Sequence, residues 1–239
     1  METHRNKTIG IIGGMGPLAT VDLFRKIVEL TDSENDQGHP RVLIDSNTNT
    51  PDRTPAILCG GADPLPEMVR AALLLERGGA DVLVMGCNTA HFFYPEIRRF
   101  VRVPFLNMLE ETAKEARKRG LSSVGLLATD GTVQSGVYAR EFERQGIDLV
   151  TPDAAGQKAV VTMIYQGVKT GRASWPVEEI SRVIGDLAAR GARAVVLGCT
   201  ELPVAFSRYR IQSGLPVLDP TEVLAESAIR FVGGRLRRK

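Results

Sequence analysis

Short apolar runs alternate along the chain with longer segments whose apolar residues recur at helical spacing. The runs Thr8-Ile-Gly-Ile-Ile12, Arg41-Val-Leu-Ile-Asp45, 82–85, Ser123-Val-Gly-Leu-Leu-Ala-Thr129, 147–150, 194–197 and 216–218 have strand length. Residues 18–30 repeat Leu18, Val21, Phe24, Ile27 and Val28 at helical spacing; residues 65–77, 89–100, 110–119, 135–145, 154–168, 177–189 and 221–232 read as further helices. Residues 31–40, 46–55, 57–64 and the stretch from Cys199 through Tyr209 read as loops, and Asp130-Gly-Thr-Val as a turn. Alternation of this kind predicts parallel sheets with helices on both faces.

One pattern occurs twice. Asp81-Val-Leu-Val-Met-Gly-Cys87-Asn-Thr-Ala-His91 is matched by Ala194-Val-Val-Leu-Gly-Cys199-Thr-Glu-Leu-Pro203. Each copy follows a helical segment ending in Arg-Gly, and each is followed 17 residues after its Cys by a proline opening another apolar run, Pro104 and Pro216. Gly10 and Gly125 are 115 positions apart and the two cysteines 112, a period too long for a solenoid. The expected fold is therefore α/β: two similar lobes, each a parallel sheet flanked by helices, related by internal duplication, with the active site in the cleft between them. Ligands of such sheets bind beyond the carboxyl ends of the strands, where both cysteines fall. The matched prolines further predict that the strand near Pro104 crosses to the second lobe and the final helix returns to the first. That divides the chain into 1–104 plus 217–239 and 105–216.

Composition narrows the function classes. Hydrophobic residues make up 43% of the 239 and charged ones 24%, with a net charge of +2, so nothing favours nucleic acid or a membrane surface. No apolar run approaches the roughly 18 residues of a membrane span. The start, 1–7, is polar, and Gly13-Gly-Met-Gly-Pro interrupts the apolar run after it, so it does not read as a signal peptide. Three unpaired cysteines suit a reducing, cytoplasmic setting. The tail Arg235-Leu-Arg-Arg-Lys239 reads as a solvated terminus.

Two thiols and three histidines are a poor ligand set for a metal. Two equivalent acid/base groups facing each other suit inversion of a carbon centre: one thiolate removes a proton from one face and the opposite thiol delivers one to the other. A thiol's ordinary pKa of roughly 8.5 can be lowered by backbone N–H groups at a strand-to-helix passage. If the two thiols are coupled, their titrations belong to the pair.

These residues bring in a resemblance. Ile9-Gly-Ile-Ile-Gly-Gly-Met-Gly-Pro-Leu-Ala-Thr20, Pro51-Asp-Arg-Thr54, Gly86-Cys-Asn-Thr-Ala-His91, Gly125-Leu-Leu-Ala-Thr129, Tyr165-Gln-Gly-Val-Lys-Thr-Gly171 and Gly198-Cys-Thr-Glu201 resemble, together and in order, the cofactor-independent aspartate/glutamate racemases, the aspartate branch in particular. The resemblance implies racemisation of a free amino acid without pyridoxal phosphate or any other cofactor, with Cys87 and Cys199 as the base/acid pair. It implies that Arg53 and Lys169 serve the substrate, and that the protein is a homodimer. Physical chemistry agrees, since proton loss beside a carboxylate piles negative charge there and cations stabilise it. Arg53 suits a carboxylate through two hydrogen bonds. Met15 and Gly16 are expected to let backbone approach the ligand; Asn47, Asn88, Thr89, Thr129, Thr132, Thr200 and Glu201 are the remaining expected substrate contacts. His91 either tunes Cys87 or packs a helix, and Cys59 stands outside both repeats.

Other readings compete. A maleate isomerase or decarboxylase also uses cysteine chemistry, and a non-catalytic amino-acid-binding protein needs only the frame. Gly14-Met-Gly-Pro-Leu-Ala19 fits a relaxed dinucleotide fingerprint, but Asp45 comes late for it and both Gly-Cys copies stay unexplained.

Overall fold

The structure is a computed structural model that describes residues 7–237; the chain's polar start, 1–6, and the last two residues of its basic tail lie outside them. β1 (Thr8–Gly13) is buried along its whole length, as its apolar residues on both faces require. The chain turns at Gly14, whose φ of +85° favours glycine, into α1 (Pro17–Leu30), where Pro17 forgoes an N–H that the first turn leaves unpaired anyway. β2 (Arg41–Ser46), α2 (Arg53–Leu58), α3 (Leu65–Arg77) and β3 (Val82–Met85) follow, giving a parallel sheet of order β2-β1-β3. Next come a 3-10 turn, Thr89–Phe93, and α4 (Tyr94–Arg98).

The segment at Pro104 does not cross. Phe105 bridges in parallel to Leu83 of β3, with Leu83 N–H donating to Pro104 O at 2.8 Å and Leu106 N–H to Leu83 O at 3.0 Å. It thus satisfies the backbone edge that β3 would otherwise leave open. The chain moves to the other sheet only afterwards, through α5 (Met108–Lys118).

The second half repeats the plan. It comprises β4 (Ser123–Ala128), α6 (Asp130–Gln134), α7 (Val137–Arg144), β5 (Asp148–Val150), α8 (Ala154–Thr162), α9 (Glu178–Ala189), β6 (Val195–Gly198), α10 (Glu201–Tyr209), β7 (Val217–Leu218) and α11 (Pro220–Phe231). Its sheet is parallel with order β5-β4-β6-β7, so β7 takes on β6 the place that Phe105 takes on β3. A hand-over after Leu106 and after Leu218 suits these pairings better than one after Pro104 and before Val217. α11 then packs on α1 and α5; its Leu224, Ala228 and Ile229 share a core with Ile9, Leu23 and Ile27 of the first half.

Several helices stand where the sequence reads as loop. α2 is capped by Asp52, which accepts from Thr54 N–H at 3.0 Å, and α6 by Thr129, which accepts from Thr132 N–H at 3.3 Å. α10 begins at Glu201 with Pro203 in its first turn, where proline is tolerated rather than disruptive. Conversely, 89–100 is not one helix: Pro95 lacks an N–H and the regular helix restarts at Tyr94. The expected apolar face of α1 is also turned. Leu18, Val21, Phe24 and Val28 are 39–61% exposed, while Ala19, Leu23 and Ile27 are buried beside Lys26, which pairs with both Asp22 and Asp219. Among the described residues no helix is long and apolar enough to cross a membrane.

Candidate active site

Cys87 follows β3 by one glycine and Cys199 directly follows β6, so each lies at the carboxyl end of its strand. Each is 5% exposed, and both line one chamber of about 10 Å³, room for about one water. The first half contributes Met15, Arg53, Asn88 and Thr89 to its wall; the second contributes Thr129, Lys169, Thr200 and Glu201. Gly16 sits one step outward, in an adjoining vestibule of about 300 Å³ that also includes Thr48, Thr50 and Leu18. Thr132 stands behind the wall. Its hydroxyl lies 2.8 Å from Thr89 Oγ1 and 3.0 Å from Thr129 Oγ1, in a buried trio that joins the two halves. Asn47 reaches neither cavity: its Nδ2 donates to Glu67 Oε2 at 2.8 Å, and its backbone presses on Gly14, where an added Cβ would lie 2.4 Å from Asn47 carbonyl carbon. It shapes the turn instead.

On the Cys87 side two buried donors point to an anion. Arg53 spends its Nη1 on the carbonyls of Pro51 at 2.7 Å and Thr50 at 3.3 Å, which leaves its Nε buried without a partner. Asn88 Oδ1 accepts from Tyr138 OH, and Asn88 Nδ2 is likewise buried without a partner. An unsatisfied buried donor costs roughly 1–3 kcal/mol, which a carboxylate oxygen would relieve. Burial opposes the Arg53 charge, but Cys87, Asp52 and Glu201 hold its pKa above the ordinary value.

His91 is a structural tie. Met108 N–H donates to its Nε2 at 3.1 Å, so its Nδ1–H donates to Cys87 O at 2.8 Å. Burial pushes its pKa down to about 4, so it is neutral at pH 7 and binds Cys87's backbone to the start of α5.

The Cys199 side is built differently. Its Sγ donates to Glu201 Oε2 at 3.0 Å, and Thr200 Oγ1 lies 3.4 Å from the same oxygen. Burial, with Glu201 next, pushes the Cys199 thiol well above its usual range, against the pull of Lys169. Lys169 follows a π-helical turn, Met163–Val168, that continues α8; its Nζ sits 4.2 Å over the Tyr165 ring. Burial opposes its charge, but Glu201 and then Tyr165, Cys199 and Asp52 hold its pKa above the ordinary value.

Known proteins share this fold. Residues 12–228 match the family described as Asp/Glu/Hydantoin racemase. The chain belongs to that family. It is similar to the aspartate racemase of Picrophilus torridus, with 36% identity, 97% of this chain and 96% of that one covered, and a TM-score of 0.81. It is 29% identical over 229 residues to the broad specificity amino-acid racemase RacX of Bacillus subtilis (strain 168), covering 92% of this chain and 96% of that protein. A glutamate racemase isoform, RacE1 of Bacillus anthracis, shares the fold at 17% identity and a TM-score of 0.67, covering 96% of this chain and 83% of that one. The protein is an isomerase, an amino-acid racemase, on the two-lobed α/β frame.

Sequence reasoning missed four residues of the candidate site. Asp52, Thr54 and Tyr165 line the chamber. The signal was present, since all three belong to the quoted Pro-Asp-Arg-Thr and Tyr-Gln-Gly-Val-Lys motifs. Tyr165 OH reaches Asp52 Oδ2 and Thr54 Oγ1 at 3.4 Å each, another link between the halves. Tyr138, which orients Asn88, carries no local signal, being one aromatic on the buried side of α7. Cys59 is exposed at the end of α2 and lines neither cavity.

Proposed function

We propose that this racemase interconverts L- and D-aspartate, without pyridoxal phosphate, by passing the α-proton between substrate carbon and the thiols of Cys87 and Cys199. The observation that carries the reading is the meeting of both thiols, from matched strand ends, in one buried chamber. The unpartnered donors of Asn88 and Arg53 suit the α-carboxylate, on which charge grows as the proton leaves. Lys169, shared by chamber and vestibule, suits the side-chain carboxylate. The aspartate racemase of Picrophilus torridus supports aspartate as substrate; the vestibule of about 300 Å³ leaves length for glutamate. The chamber has room for about one water, so admission of substrate needs the walls to part. The protein acts in the cytoplasm as a homodimer, for which the exposed apolar face of α1 offers a surface.

The test is α-proton exchange by NMR. L-Aspartate in D₂O, with no pyridoxal phosphate added, is expected to lose its α-hydrogen signal as D-aspartate appears, and replacing either thiol is expected to abolish both. Exchange with glutamate but not aspartate would change the substrate and keep the mechanism. Turnover of maleate without exchange on any amino acid would replace the reading.

A further inference from the structure

We propose that Glu201 keeps the resting proton on Cys199, so that the enzyme at rest holds Cys199 as the acid and Cys87 as the base; this rests on the two-thiol reading above. The halves differ in the group set beside the sulfur. Cys199 Sγ lies 3.0 Å from Glu201 Oε2, with both residues buried. A thiolate there would face a carboxylate at contact distance, where poor solvation leaves the repulsion nearly unscreened. A protonated Cys199 instead donates its S–H to that oxygen, so the carboxylate favours one protonation state only. Thr200 Oγ1, 3.4 Å from Glu201 Oε2, helps hold it in place. The charged group that Cys87 meets is the opposite one, the Arg53 guanidinium of α2.

Other ionisable groups surround the pair. Lys169, after the π-helical turn, pulls against Glu201, and Arg53 faces Glu201 from α2. Tyr165 and Tyr138 face Cys199 from the π-helical turn and from α7. Lys169 is divided among Glu201, Tyr165, Cys199 and Asp52, whereas Glu201 is hydrogen-bonded to the sulfur itself. That direct hydrogen bond decides in favour of the carboxylate.

The proton count then follows. The Cys87 sulfur takes the α-hydrogen as a proton, and the C–H electron pair stays on the substrate. Cys199 gives its proton to the opposite face, and the S–H pair stays on its sulfur. The enzyme leaves the turnover with its proton on Cys87 and a Cys199 thiolate against Glu201, the arrangement the carboxylate disfavours. Turnover of the opposite enantiomer, or proton exchange with solvent, restores the start. Enantiomers are equally stable, so kcat/KM is equal in both directions and the asymmetry emerges as kcat and KM that differ in proportion.

Alkylation by iodoacetamide, read at each cysteine by peptide mass spectrometry across pH, tests the assignment without substrate. Both cysteines are buried, at 5% exposure each. Cys87 is expected to react first in the wild type. Glu201→Gln is expected to raise the rate at Cys199 near pH 8 by about tenfold, the equivalent of one pH unit, while Glu201→Asp stays closer to wild type. Cys199 reacting first in the wild type, or a Cys199 profile that Glu201→Gln leaves unmoved, would overturn the proposal. Should the Gln variant not fold, the wild-type order still decides. Exchange in D₂O is scored separately. Exchange with the wrong alkylation order removes only the Glu201 assignment; absent exchange removes the racemase mechanism.

Discussion

On the Cys87 side the chain leaves β3 through Gly86, passes into a 3-10 turn, and ties the cysteine's own carbonyl to His91. On the Cys199 side it leaves β6 through Gly198 and enters α10 at once, so that Glu201, in the first turn, meets the sulfur. Strand, glycine and cysteine are common to both. The residues after them diverge, and with them the charge each sulfur meets, Arg53 on one side and Glu201 on the other. The duplicated frame brings two thiols to one chamber, and the flanking residues give each its task. A carboxylate at the start of α10 also sits well with the helix dipole, so Glu201 serves fold and site together.

The largest effect expected is the loss of either thiol. Cys87→Ser and Cys199→Ser should each reduce racemisation by about 10²–10⁴-fold, the range typical of a lost acid/base group, read as polarimetric kcat/KM. A variant that keeps full activity would break the comparison outright. His91 sharpens it through stability. Its folded pKa of about 4 lies below the unfolded value of roughly 6.5. As pH falls through that window the unfolded chain gains a proton here that the folded chain refuses, so stability is lost, on the order of 3 kcal/mol in all. Denaturant titrations from pH 7 to pH 4 should show a shallower acid loss in His91→Gln than in the wild type.

The glycines before each cysteine make a finer contrast. A Cβ at Gly198 would lie 2.4 Å from Leu126 Cδ1 and 3.1 Å from Leu127 O, whereas at Gly86 the nearest atom, Leu23 Cδ2, is 3.5 Å away. Gly198→Ala should therefore cost about 1–3 kcal/mol as overpacking, and Gly86→Ala about 0.5 kcal/mol or less, by thermal unfolding. Tyr138→Phe removes the donor that orients Asn88 and should cost about 1 kcal/mol of stability. Its kinetic sign is a raised KM for aspartate with a smaller change in kcat, since the amide that meets the carboxylate is then free to turn.

Much of this was legible in the chain. The repeated Gly-Cys context, Pro104 and Pro216 foretell two equivalent parallel sheets and put both thiols at strand ends, because strand length, glycine and proline act locally. The quoted motifs carry Arg53, Asn88, Thr89, Lys169 and Glu201 to the chamber wall. Short helices such as α2 and α10 were hidden, since their capping residues and prolines also read as turn signals. Asn47 was misplaced because polarity marks a loop without saying which way a side chain turns; here it turns to Glu67.

Tertiary structure alone decided the rest. Periodicity grouped Leu18, Val21, Phe24, Ile27 and Val28, but α11, arriving from about 200 residues away, buries only Ile27 of that set, together with Leu23, and its N-terminal Asp219 joins Asp22 in holding Lys26. The same reason governs the site. That Cys199 meets a carboxylate is written two positions along the chain, while Arg53 beside Cys87, Tyr138 behind Asn88 and the threonine trio all depend on chain segments brought together only by packing.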